Sequence, residues 1–125
     1  MAIASVNPAT GQLLRNFSAL TDAEIEAKLQ KAANTFRTYR FVSFADRARI
    51  VNAAEILEKE KESFARVMTT EMGKTFRSAV EEAAKCAWVC RFYAENAEKF
   101  LADEVVETGA KRSYVKFQPL GRFWR

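Results

Sequence analysis

The sequence predicts a mainly α-helical chain with four helices and two or three short strands. Apolar residues recur three or four positions apart over four separate stretches, which is the spacing of side chains on one helix face. The 125 residues include only 4 Gly and 2 Pro, the residue types that most often interrupt helices. A hydrophobic content of 49% with 29% charged residues is typical of a globular chain. The expected order is strand, four helices, strand.

The first predicted elements are a turn, a short strand and a capped helix. Residues 7–11 begin with Asn-Pro and end with Gly, which favours a turn. Residues 13–17 favour a strand. Thr21 and Glu24 have the spacing of a capping box, in which each side chain satisfies a backbone amide of the first turn. We therefore expect helix over residues 22–39.

Three further helices are predicted behind the first. Ser43 is an N-cap candidate, and apolar residues behind it predict a helix that ends near Lys59. The next helix ends at Gly73, because glycine readily adopts the left-handed conformation found beyond helix ends. Residues 74–102 contain no Gly or Pro and carry a stripe of alanines. They predict a long helix that its neighbours approach closely.

The C-terminal part predicts a turn, a strand and a second turn. Thr108-Gly109 favours the first turn, and Val115 and Phe117 alternate with polar residues as in a strand. Residues 119–121, Pro-Leu-Gly, favour a turn that leads into a further structural unit. We therefore expect the chain to be a piece of a larger protein.

Composition excludes several function classes. The net charge is +4, but Lys and Arg alternate with Glu and Asp, so neither a nucleic-acid surface nor a nucleic-acid partner is predicted. No apolar run approaches the roughly 20 residues of a membrane span, and no secretory signal precedes the first strand. We expect a cytoplasmic protein. The absence of His excludes Ser-His and Cys-His catalysis within these residues.

Cys86 and Cys90 are one helical turn apart and share a helix face. Two thiolates supply half of a structural zinc site, and no other Cys or His is present to complete it. We interpret both as small apolar residues buried in the alanine-rich stripe. No metal site and no catalytic residue is therefore expected.

Aromatic residues occupy more than one face of the long helix, namely Trp88, Phe92, Tyr93 and Phe100. A helix that is apolar on two sides usually has two packing partners. One partner is the set of other predicted helices. The second is either the remainder of a larger protein or another subunit, so self-association is one expectation.

Five short motifs, in order and in register, resemble the N-terminal segment of the aldehyde dehydrogenase superfamily. Within it, residues 71–74 (Glu-Met-Gly-Lys) and residues 85–95 are most similar to bacterial succinate-semialdehyde dehydrogenases. The five motifs are residues 7–11, Ser43 with Arg47, residues 71–74, residues 90–94 and residues 118–121.

The resemblance implies the N-terminal portion of an α/β fold. Residues 1–121 would be an N-terminal segment truncated before its first Rossmann unit is complete, and residues 122–125 a tail that does not match. Such enzymes oxidise an aldehyde with NAD or NADP through a catalytic Cys and a general-base Glu, which lie further along the chain in relatives. No cofactor is expected to bind this chain alone.

Two functions follow as expectations. The first is a truncated, inactive aldehyde dehydrogenase whose parent oxidises succinate semialdehyde. The second is a helical module that binds a full-length dehydrogenase subunit or another partner. On the resemblance, Lys85 and Trp88 lie on the helix that flanks the substrate tunnel, where a lysine could attract a carboxylate-bearing aldehyde. The alternative is a surface lysine and a core tryptophan.

Overall fold

The computed structural model describes residues 3–121. Helices dominate this part of the chain, and two small antiparallel sheets flank them. The mainly helical class predicted from the sequence is confirmed. In chain order the elements are β1 (Ile3–Val6), β2 (Leu13–Phe17), α1 (Asp22–Tyr39), α2 (Phe44–Arg47), a 3₁₀ turn (Ala48–Ile50), α3 (Val51–Lys59), α4 (Lys61–Met72), α5 (Phe76–Phe100), β3 (Glu104–Val105) and β4 (Tyr114–Val115).

Helices α2, α3 and α4 pack on α5. Both α3 and α4 lie against it, and α2 with the 3₁₀ turn contacts its C-terminal half. The predicted close approach is confirmed, because every buried hydrophobic side chain within residues 3–121 is an alanine, and small side chains let helix axes come close. These buried residues are Ala54, Ala65, Ala79, Ala83 and Ala87.

The N-terminal strands form a hairpin closed by the predicted turn. Backbone amides of Gly11 and Ala9 donate to the carbonyl and side-chain oxygens of Asn7, at 2.8 and 2.9 Å. Gly11 has a φ of 71°, which glycine adopts without strain. Strand β1 pairs antiparallel with β2. The sequence predicted β2 but missed β1, whose apolar residues do not alternate.

Helix α1 begins with the predicted capping box. The amide of Glu24 donates to Thr21 Oγ1 at 3.3 Å, and the amide of Thr21 donates to Glu24 Oε2 at 2.8 Å. At the other end, the Arg47 guanidinium donates to the carbonyl oxygens of Tyr39 and Arg40 at 3.2 and 3.3 Å. Arg47 therefore joins the end of α1 to α2.

The helix predicted from Ser43 to Lys59 is interrupted. Ser43 caps α2 by accepting from the amide of Asp46 at 3.1 Å, but a 3₁₀ turn follows before α3 begins. Neither the 3₁₀ turn nor α3 begins with a side-chain cap, so the sequence carries no local signal for the boundaries between these segments. One predicted helix is therefore three consecutive helical segments.

The predicted C-terminal strand is shorter than expected. Only Tyr114–Val115 pairs, with Glu104–Val105 as its antiparallel partner, and Phe117 lies outside the strand. Gly121, with a φ of 108°, passes close to the Phe36 ring of α1. Residues 122–125, predicted as a tail, lie outside the described residues.

The chain exposes far more surface than a compact domain. Its accessible area is 10766 Å², whereas a compact protein of this mass would expose about 6,800 Å². Large apolar side chains are among the exposed residues; Trp88 is 59% and Phe41 78% exposed. None of the helices in the described part of the chain combines the length and apolar character needed to cross a membrane.

Candidate functional site: the outer face of α5

Helix α5 separates a core face from an outer face. Ala79, Ala83 and Ala87 recur every fourth residue and are buried against α3 and α4. At 100° per residue, Trp88 lies about 140° and Lys85 about 160° around the axis from Ala83. Both side chains are exposed. The structure therefore brings the two predicted substrate-approach residues together on the outer face and does not place Trp88 in the core.

Lys85 lines a cleft of about 660 Å³ on this face. Its neighbours in the cleft come from α5 and from the residues just before it. Ser78 and Val89 were not predicted as site residues, although their spacing of three and four from other cleft residues could have indicated it. The lining residues are Lys74, Ser78, Glu81, Glu82, Lys85, Cys86, Val89 and Cys90.

Most charges of the cleft have a partner. Lys74 forms an ion pair with Glu82, and the Arg77 Nε donates to Glu81 Oε1 at 3.2 Å. Within the described residues Lys85 has no ion pair. Lys85 is therefore the cation in this cleft that can attract an anionic ligand.

The aromatic residues of α5 pack on each other. The Phe92 ring stacks on the Trp88 ring with a centroid distance of 5.6 Å. Its centroid also lies 5.4 Å from the Tyr93 ring centroid and 5.8 Å from the Phe100 ring centroid. Phe92 is half-buried, while the other three are exposed. The sequence predicted a second packing partner for these aromatic residues of α5, and no element within the described residues covers them.

The interpretation of the two cysteines as buried residues is wrong. Cys86 is exposed and Cys90 is only half-buried, because the core stripe follows every fourth residue from Ala79 and Cys86 lies 100° to the side of Ala87. Within residues 3–121 no group of three Cys, Asp or Glu side chains could hold a metal ion.

Ion pairs fix α5 against α3. The Arg91 Nη2 and Nε donate to Glu55 Oε1 at 2.9 and 3.2 Å, and Nη1 lies 3.8 Å from Glu58. Lys61 donates to Glu58 at 2.7 Å. The hydrogen bond and charge of Lys61, followed by the charge of Arg91, lower the pKa of Glu58. These contacts orient the outer face relative to the helical layer.

The chain does not contain the glycine-rich loop that is common in nicotinamide-dinucleotide sites. The pyrophosphate of such a cofactor is commonly held by a G-x-G-x-x-G loop at a helix start. The glycines of this chain, Gly11, Gly73, Gly109 and Gly121, are far too widely spaced for that loop. No chemical step through a cofactor is therefore assigned to these residues.

Known proteins match nearly the whole chain. The model of the aldehyde dehydrogenase family matches residues 1–124, which extends three residues beyond Gly121. The probable NADP(+) succinate-semialdehyde dehydrogenase of Synechocystis sp. is 50% identical over 122 residues, covering 97% of this chain and 27% of the relative. The chain thus spans about a quarter of the length of this curated relative.

Solved structures agree with this match. Gox0499, studied for cofactor and substrate selection, has a TM-score of 0.89 and 31% identity, covering 96% of this chain and 27% of its own. The NADP+ complex of succinic semialdehyde dehydrogenase from Streptococcus pyogenes has a TM-score of 0.82 and 29% identity, covering 89% and 25%. The resemblance to an aldehyde dehydrogenase segment is confirmed. The chain belongs to the aldehyde dehydrogenase family.

Proposed function

We propose that this chain provides the helical layer of an NADP-dependent dehydrogenase that oxidises succinate semialdehyde to succinate. The supporting observation is the 50% identity to a probable NADP(+) succinate-semialdehyde dehydrogenase over 97% of this chain. Because the chain spans 27% of that relative and contains no G-x-G-x-x-G loop, we propose that it has no activity alone. The proposal includes a cytoplasmic location, since Cys86 and Cys90 are free thiols, as is usual in a reducing compartment.

In this proposal, Lys85 guides the substrate. Succinate semialdehyde carries a carboxylate at the end opposite its aldehyde, so a cation at the approach can orient it with the aldehyde leading. Lys85 suits this role because its ammonium group is exposed in the cleft and has no ion pair within the described residues. Trp88, one turn further along, supplies an apolar surface for the methylene groups.

A chimera tests the proposed function. The matched segment of the Synechocystis enzyme is replaced by this chain, and NADPH formation with succinate semialdehyde is followed. We expect a chimera with activity within about tenfold of the parent enzyme, and no activity from this chain alone. A folded chimera without activity, beside an active parent enzyme, would contradict the proposal.

Lys85→Glu in the same chimera tests the guiding role. The variant replaces an attractive charge by a repulsive one at a partly exposed site. We expect it to weaken substrate binding by about 1.4 kcal/mol, so KM for succinate semialdehyde should rise about tenfold. The KM for butanal, which has no carboxylate, should not change. Lys59→Glu on α3 is the matched control. Equal effects on both aldehydes would assign Lys85 a structural role.

A second candidate function is a module that binds a full-length dehydrogenase subunit. The large exposed apolar surface of the described residues favours it, because such surfaces usually mark interaction sites. Co-expression with a tagged Synechocystis enzyme tests this candidate. Retention of the untagged chain in a fixed ratio through purification would support it, and loss of the chain at the first wash would rule it out.

A further inference from the structure

Lys85 has two acidic neighbours on its own helix. Glu81 and Glu82 precede it on α5 by four and three residues, and side chains at these spacings are neighbours on a helix surface. A glutamate four residues before a lysine is the favoured order for an ion pair. The local sequence therefore favours pairing of Lys85 with one of these carboxylates, which would weaken its attraction for an anionic substrate.

The structure shows both carboxylates bound to other cations. Glu82 forms its ion pair with Lys74. Glu81 Oε1 accepts a hydrogen bond from Arg77 Nε at 3.2 Å. Within the described residues neither carboxylate forms an ion pair with Lys85. Two other cations thus occupy the local partners of Lys85.

We propose that Lys74 is a specificity-determining residue. By holding Glu82, it keeps the Lys85 ammonium group available to the carboxylate of an acidic aldehyde. This inference rests on the proposed function, because it concerns the selectivity of the same cleft. It adds a residue outside α5 to the groups that discriminate between acidic and uncharged aldehydes.

Lys74 is better placed for this role than Arg77. The Lys74 side chain is 32% exposed and that of its partner Glu82 is 47% exposed. The Arg77 side chain is 92% exposed and that of its partner Glu81 is 65% exposed. Solvent and salt screen partly buried charges less than exposed ones. Arg77 also precedes its glutamate by four residues, which is the less favourable order on a helix.

The connection between α4 and α5 supplies this cation. Helix α4 ends at Gly73, which has a φ of 72°, and α5 begins at Phe76. Lys74 therefore lies before the first residue of α5, yet its ammonium group reaches Glu82 about two turns into that helix. The ion pair ties the connection to the face of α5 that lines the cleft.

The charges that line the cleft are balanced. The lining contains two lysines, Lys74 and Lys85, and two glutamates, Glu81 and Glu82. Removing the charge of Lys74 leaves an excess of negative charge and frees Glu82 to approach Lys85. Both changes disfavour a carboxylate in the cleft, whereas an uncharged aldehyde responds to neither.

Three variants of the chimera test this role. Lys74→Gln removes the cation, Lys74→Gln combined with Glu82→Gln also removes the carboxylate, and Lys74→Arg retains the charge. Selectivity is measured as the KM for succinate semialdehyde divided by the KM for butanal. Turnover of butanal verifies that each variant folds. Lys59→Gln on α3 removes the same charge outside the cleft and is the matched control.

We expect Lys74→Gln to raise this KM ratio about three- to fivefold. The double variant should return it to within about twofold of the unmodified chimera, because the excess negative charge is gone. The increase should also shrink in about 0.5 M salt, which screens partly exposed charges, whereas a structural defect would persist. Lys74→Arg and Lys59→Gln should keep the ratio within about twofold of the unmodified chimera.

Lys85→Glu in the same chimera separates the two proposals. If Lys85→Glu raises the KM ratio and Lys74→Gln does not, the guiding role of Lys85 stands and the role of Lys74 is overturned. A lack of rescue by Glu82→Gln would overturn the role of Lys74 as well. If Lys85→Glu leaves the ratio unchanged, or the folded chimera is inactive with both aldehydes, both proposals fail.

Discussion

At the scale of single residues, two glycines are required by their conformation and surroundings. Gly73 ends α4 with a φ of 72°, and a Cβ built there would lie 3.0 Å from Pro8 Cγ. Gly121 has a φ of 108° beside the Phe36 ring. The first glycine lets the hairpin turn approach the end of α4, and the second lets the C-terminal segment pass α1.

Gly73→Ala should destabilise the fold. Alanine at positive φ costs about 1 kcal/mol, and the contact with Pro8 adds strain because the pyrrolidine ring cannot move freely. We expect a total loss of roughly 1–3 kcal/mol in the free energy of unfolding, measured by urea denaturation. Gly109→Ala is the matched control, since it has open space around it. Equal stability of the two variants would contradict this account.

The location of Cys86 shows why residue-level burial is hard to predict. Cys86 and Ala87 are adjacent small residues, and helical spacing alone permits either to belong to the core stripe. The packing of α3 and α4 against Ala79, Ala83 and Ala87 decides between them. Which of the two residues is buried depends on packing between helices, so the spacing of small residues along α5 could not predict it.

At the scale of elements, local chemistry predicts boundaries well where a cap is present. The Thr21 and Glu24 pattern predicted the start of α1, and Gly73 predicted the end of α4; both are confirmed. Strand β1 depends on pairing with β2 rather than on its own pattern. The 3₁₀ turn before α3 has no side-chain cap. A strand that is defined by its pairing and a helical turn without a side-chain cap are both hard to predict from the local sequence.

The capping carboxylate should make α1 sensitive to pH. Hydrogen bonds from the backbone and side chain of Thr21 lower the pKa of Glu24. A lowered pKa in the folded state stabilises the fold above the unfolded pKa, and this contribution is lost as pH falls through the folded pKa. Glu24→Gln should therefore be less stable than the unmodified chain at neutral pH and equally stable in acid.

Thermal unfolding by circular dichroism at a series of pH values measures this difference. Glu26→Gln, on the same helix and outside the capping box, controls for the loss of one negative charge. A constant difference between Glu24→Gln and the unmodified chain across the whole pH range would contradict the capping explanation.

At the scale of the whole molecule, the large accessible surface area determines how unfolding should depend on denaturant. A chain that exposes 10766 Å² buries less on folding than a compact domain of equal length. The slope of unfolding free energy against denaturant scales with the area that unfolding exposes. We expect a urea slope about one third below that of compact domains of 125 residues, measured by tryptophan fluorescence. A slope typical of compact domains would indicate that the exposed faces are covered in solution.

Sequence reasoning recovered the class and the family at this scale because helical periodicity and five short motifs are properties of the chain itself. It also selected Lys85 and Trp88, which the fold brings to one face. It missed the surrounding cleft, since Lys74 precedes α5 and lines the cleft only through the geometry of the helix start. The amount of exposed surface was also not predicted, because it depends on which helix and strand faces pack against other elements.

Within residues 3–121 the buried interior consists of alanines, which reverses the usual pattern of mutational tolerance. In most proteins, shortening a buried side chain leaves a cavity and is the most damaging change. Ala79, Ala83 and Ala87 have almost nothing left to remove, whereas one added methyl would push α3 or α4 away from α5. A saturation scan of this chain would therefore find its strictest positions among its smallest residues, and size rather than hydrophobicity would govern which substitutions survive.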